Sequence, residues 1–67
     1  MKYIVIELQK NKEGVVSNIV TSHDTLPEAE SHYYSILAAA AVNDVPVHSA
    51  IIVSEEGFPV KNQCYKH

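Results

Sequence analysis

At 67 residues the chain has room for one domain, near the size at which a single core is marginal; domains this small usually add a disulfide, a metal or a second subunit. The lone Cys64 makes no internal disulfide and no cysteine pair is present for a structural zinc site, which leaves oligomerisation as the expected supplement. Eight acidic residues stand against five lysines and no arginine, giving a formal charge of −3; the lysines are scattered, which argues against binding to a nucleic-acid backbone while leaving a single small anion open as a ligand.

The N-terminal run MKYIVIELQK carries one lysine before a short apolar stretch that already contains Glu7. It lacks the apolar region and cleavage site of an export signal, and no stretch approaches the roughly 20 apolar residues of a membrane-spanning helix. With one free thiol, the expected location is the reducing cytoplasm.

Tyr3 to Gln9 alternates with period two and reads as a first strand, with Ile4, Ile6 and Leu8 on one face and Tyr3, Val5 and Glu7 on the other. Lys10 to Gly14 reads as a hairpin loop in which Gly14 supplies a positive φ. Val15 to Ser22 returns as a second strand.

Thr25 and Glu28 then stand in the spacing of a capping box, in which each side chain would satisfy a free amide at a helix start. Pro27 falls in the first turn, where its missing N–H costs little, and Glu28 and Glu30 favour the positive end of the helix dipole. The helix should run to Val42, with Asn43 in the left-handed conformation at its end. Its expected core stripe is Leu26, Ala29, Tyr33, Ile36, Leu37 and Ala40, at three- and four-residue spacing. No residue from Ile36 to Val42 is polar, so Ala38, Ala41 and Val42 are left as a candidate subunit interface, with the uncovered sheet face as its rival. Alanine is also simply the best helix former, which explains the same residues without an interface.

Asp44 to Pro46 should connect to a third strand, Val47 to Ser54. Glu55-Glu56-Gly57 forms a second turn, and Phe58 to Tyr65 a fourth strand whose Pro59 suits a sheet edge. The order strand-strand-helix-strand-strand, with strands 1 and 3 the most apolar, predicts an α+β fold: one antiparallel sheet in the order 2-1-3-4 with the helix on one face.

Chemistry is harder to find. Of the four histidines, His23, His32, His48 and His67, no pair has the i, i+4 helical spacing of a zinc site, and Cys64-x-x-His67 stands alone; the histidines are expected half-exposed at element ends, and no metal and no cofactor are expected. Cys64 is expected as a half-buried, inert thiol. No nucleophile–base pair and no two carboxylates in one cleft suggest an enzyme. The densest polar-aromatic groups are His32-Tyr33-Tyr34 and the terminal Gln63-Cys64-Tyr65-Lys66-His67. His32, Tyr34, Tyr65 and His67 are therefore the candidate ligand-binding residues, whose rings could stack on a base and whose donors could meet phosphate in a pocket between subunits. The bland alternative is that Tyr33 is core, His32 is solvated and the C-terminal segment is a frayed edge strand.

The segments KYIVIELQ, AESHYYSILAAAAVNDVPVHSA, EEGFPV and QCYKH together resemble a group of short proteins of no assigned activity encoded in prophages and phages of gut Firmicutes. The resemblance implies a phage accessory protein and carries over no functional residue. By analogy with small phage proteins that sequester host nucleotide immune signals between subunits, it implies a homo-oligomer that binds a nucleotide-derived small molecule without catalysis. The competing expectation is an interaction module that docks on a phage or host protein through an apolar helix or sheet face.

Overall fold

A computed structural model describes all of residues 1–67. Its elements are β1 (Tyr3–Lys10), β2 (Val16–His23), α1 (Leu26–Val42), β3 (Val47–Ser54) and β4 (Pro59–Lys66). The four strands form one sheet in the order β2-β1-β3-β4, antiparallel throughout, with α1 across one face. This is the expected ββαββ arrangement. Each hairpin ties an outer strand to its central partner, and the two most apolar strands pair with each other in the middle.

The hairpin chemistry explains why β2 and β4 begin one residue later than the pattern suggests. In the first loop the Asn11 side chain accepts from the amides of Glu13 and Val15 at 3.0 and 2.9 Å, so Val15 belongs to the loop and pairing starts at Val16. Gly14 has φ +84°, the positive φ that the hairpin loop requires. In the second turn the Phe58 amide donates to Ser54 Oγ at 3.2 Å and Gly57 has φ +90°. β4 is an edge strand with an irregularity near its start: Ile52 faces Lys61 but Val53 faces Pro59, so Val60 is bulged out.

Helix α1 starts as a half-formed capping box. Thr25 is extended and its Oγ1 accepts from the Glu28 amide at 3.3 Å. The Glu28 carboxylate does not return to a backbone amide as expected; it accepts from the Thr25 hydroxyl at 3.1 Å. The helix end also differs from expectation. Asn43 is extended (φ −97°, ψ 172°), not left-handed. Its side chain is already committed: Oδ1 accepts from the Val45 amide at 3.2 Å and Nδ2 donates to His48 Nδ1 at 3.0 Å, which holds the chain open toward β3. One free carbonyl of the last turn, that of Ala40, accepts from His67 Nε2 at 2.9 Å.

The core is small. Val5, Ala29, Tyr33, Ile36, Ala50 and Ile52 form one buried cluster, with Tyr3, Leu26 and Leu37 packed against it and Ala40 buried at its edge. Every residue of the expected helix stripe is accounted for. Ala29, Ala40 and Ala50 have no side chain beyond Cβ, which lets the helix sit close on β1 and β3.

The other face of the sheet has no covering layer. Alternation along β1 puts Ile4, Ile6 and Leu8 opposite to the buried Val5. Register then aligns four rungs across that face: Ser22–Ile4–Val53, Val20–Ile6–Ile51–Asn62, Asn18–Leu8–Ser49–Cys64 and Val16–Lys10–Val47–Lys66. Cys64 is exposed here, not half-buried, because β4 is an edge and nothing lies over it.

Candidate functional site

The sequence-derived site residues separate into two places. His32 and Tyr34 are two positions apart on α1, so their side chains leave the helix on opposite flanks of Tyr33. His32 lies against His23 of β2, ring centroids 5.3 Å apart, while His23 Nε2 is 3.0 Å from Thr21 Oγ1. Tyr34 points the other way, toward β4. Tyr34, Ala38 and Ala41 are brought together with Tyr65 in a shallow groove between α1 and β4, which Tyr33, Leu37, Lys61, Asn62 and Gln63 also line. His67 stands at its end, its ring stacked on Tyr65 (6.4 Å between centroids, 6° between planes) and its Nε2 used on the Ala40 carbonyl. Val42 lies outside the groove at the helix terminus, 85% exposed.

Lys61 is the electrostatic centre of the groove. Its Nζ donates to Tyr34 Oη at 2.8 Å, lies 5.3 Å from the centre of that ring and is 3.1 Å from Glu30 Oε2. The hydrogen bond to Tyr34 and then the bond to Glu30 hold the ammonium above the ordinary lysine range. The groove thus offers aromatic edges, an apolar floor and one cation that already has an acidic partner. An exposed pair of this kind is weak enough for a stronger anion to displace it. A second hollow, between the β1–β2 loop and the α1–β3 connection, sets Lys12 near Glu13 and Asp44 and contains no aromatic ring.

Sequence reasoning missed a buried polar chain beneath α1. His48 is only 2% exposed, a correction to the expectation of half-exposed histidines at element ends. Its Nε2 is 2.6 Å from Glu7 Oε2, and the same carboxylate oxygen accepts from Gln9 Nε2 at 3.0 Å. Asn43 Nδ2 donates to His48 Nδ1, so in this network Nε2 carries the hydrogen that faces Glu7. The signal was present in the sequence: Glu7 shares its face with Val5, and His48 shares its face with Ala50 and Ile52, all pointing at the helix. Once the helix covers that face, a carboxylate and an imidazole on diagonal positions of two central strands are brought together as partners. Both ring nitrogens are engaged within the protein. No buried side-chain nitrogen or oxygen lacks a partner, and no three His, Cys, Asp or Glu side chains come together as metal ligands.

The uncovered sheet face carries a run of aliphatic side chains. Ile4, Ile6, Leu8, Val47, Ile51 and Val53 form its centre, all only partly covered by their neighbours. Val16 and Val20 on β2 are 60% and 57% exposed. Its two ends differ in charge. Beyond Ile4, Lys2 Nζ donates to Asp24 at 2.6 Å, and the Lys2 backbone amide donates to the Glu55 carboxylate. At the opposite end the last rung carries Lys10 and Lys66.

No helix is long and apolar enough to cross a membrane. No family model, curated relative or solved structure matches this chain.

Proposed function

We propose that the protein is a non-enzymatic association module whose working surface is the uncovered face of its sheet. One observation carries this reading: an aliphatic face spans β2, β1 and β3, flanked by the polar Asn62, Cys64 and Lys66 of β4, with no layer over it, in a chain whose own core is a cluster of six residues. Monomeric proteins rarely leave contiguous apolar surface of more than a few hundred Å² open to water. The exposed surface of α1 is broken up by Pro27, Glu28, Ser31 and Ser35, and its apolar part is Tyr34, Val42 and three alanines, a less continuous surface than the isoleucines and valines of the sheet. The test is substitution on the outer face. Ile6→Lys and Ile51→Lys sit away from the helix and keep the core intact, so both variants should keep the native circular dichroism and lose association. Association that survives both changes would place the working surface elsewhere.

A second reading rests on the groove. Lys61, Tyr34 and Tyr65 form a combination suited to a planar, anionic, nucleotide-type ligand. It ranks second for two reasons: Lys61 is already paired with Glu30, and His32 lies on the other flank of the helix. The protein would be incubated with ADP-ribose and cyclic dinucleotides, filtered, and heated to release what it held. Retention that is lost in Tyr34→Ala supports this reading; no retention rejects it. Either activity would suit the phage-accessory role that the sequence resemblance implies.

A further inference from the structure

The partner of the sheet face can be named from its size and its charges. We infer that the face is covered by the same face of a second copy, turned end for end so that the strands of the two sheets run in opposite directions. This rests on the reading of the sheet face as the working surface.

Size comes first. Four strands of eight residues span about 26 Å along the strands and about 19 Å across them, a projected face of roughly 500 Å². Stacking two such faces removes at least about 1,000 Å² from water, and more once side-chain relief is counted, which reaches the threshold for a specific dimer. A partner with a small or convex surface would leave much of the face wet. A flat sheet of the same dimensions covers it, and two sheets pack well with strand directions within about 30° of each other.

Charge decides the orientation. One end of the face carries Lys10 and Lys66, on either side of Val47 in a single rung. The other end carries Asp24 and Glu55, with Lys2 bound between them and the N-terminal ammonium near Asp24, and Glu56 follows in the turn, so three acids stand there against two cations. If the two sheets stacked with strands running the same way, the Lys10 and Lys66 of both copies would meet at one end and the carboxylates of both at the other. Turning one copy end for end sets each lysine end against an acidic end, and does so twice in one symmetric contact. The centre of the face, around Ile6 and Ile51, is apolar in both copies and meets itself across the two-fold axis.

Sedimentation equilibrium on the full chain between about 1 and 200 µM tests the inference. The wild type should be a dimer, and Ile51→Lys should raise its dissociation constant at least about 100-fold, because a lysine would be trapped in an apolar contact. Glu55→Lys and Lys66→Glu should each weaken the dimer about fivefold, as befits exposed pairs, and the double variant Glu55→Lys/Lys66→Glu should recover most of the loss. A wild type that stays monomeric overturns the second copy as partner while leaving the sheet-face reading to be judged with other partners. A dimer that Ile51→Lys does not disturb rejects that reading itself. A dimer broken by Ile51→Lys but strengthened by Lys66→Glu alone would show the same-direction stack and overturn the orientation.

Discussion

Replacing His48 with leucine removes the middle of the buried chain Asn43–His48–Glu7 and leaves both ends without it. Asn43 Nδ2 loses its acceptor at 3.0 Å, and Glu7 Oε2 keeps only the 3.0 Å bond from Gln9 in place of the 2.6 Å contact to His48. A buried donor left without a partner costs about 1–3 kcal/mol, and a hydrogen bond to a charged group is worth about 1.5–3 kcal/mol. Three effects reduce the sum. Asn43 is only half-buried, so water can replace part of its lost bond; the Glu7 side chain is 17% exposed, so water can reach part of the carboxylate; and the leucine buries apolar surface where the ring stood. The expected net loss is about 2–4 kcal/mol, a large share of the stability of any small domain. Urea denaturation followed by far-ultraviolet circular dichroism, at one fixed protein concentration, reads it as a midpoint lower by about 2 M or more, since a chain this short has a denaturant slope near 1 kcal/mol/M. The double variant Glu7→Leu/His48→Leu should lose less than the sum of the two single variants, by at least about 1 kcal/mol, because the second change removes a charge that the first had stranded. A His48→Leu protein as stable as the wild type, or strict additivity in the cycle, would refute the view that these groups are bound to each other in the core.

Other outcomes can be checked independently. The Asp24 carboxyl is held below the usual aspartate range, first by its hydrogen bond from Lys2 and then by the charge of that ammonium. A carboxylate with a lowered folded value adds stability that is present above about pH 3.9 and lost as pH falls through the folded value. Both partners are exposed, so the effect is small and should shrink with added salt; a carbon-detected titration should put the Asp24 midpoint below 3.9 at low ionic strength, and a midpoint at or above that value would contradict the pairing. Gly57→Ala should cost about 1–2 kcal/mol through the backbone alone, since Gly57 has φ +90° and an added Cβ would meet nothing within 4 Å; an unchanged thermal midpoint would mean the turn relaxes to another form. Thr25→Ala should cost about 1 kcal/mol by removing the acceptor for the Glu28 amide, seen as a lower urea midpoint.

The electrostatic and aromatic parts of the molecule show how far local pattern reaches. Tyr34 and Tyr65 were singled out as aromatic and donor-rich, and they do share a groove; His32, chosen with them because it is near in sequence, faces β2 instead. Two positions on a helix are about 200° apart, so closeness along the chain opposed closeness in space. Lys61, which organises that groove, gave no signal by itself, because its partners Tyr34 and Glu30 come from a different element. The Asn43 terminus was misread for a similar reason. Its local preference favours the left-handed conformation, but its side-chain amide is bonded to His48, five residues on, with the backbone extended.

What the sequence determined by itself was everything set by local periodicity and turn chemistry. Period-two alternation in β1 and β3, glycines at the two hairpin turns, the Thr25 cap and the three- and four-residue spacing of the helix stripe made the elements, their order and the helix core face legible. Those signals act over a few residues and need no knowledge of the rest of the chain. What only the tertiary structure decided was which face of the sheet the helix covers, and hence which residues meet. That choice put Val5, Glu7 and His48 inside and left Ile4, Ile6 and Ile51 without a cover. Both faces of β1 carry aliphatic side chains, so alternation alone could not rank them; in the fold adopted, the face beneath the alanines of α1 is packed with every buried polar atom paired.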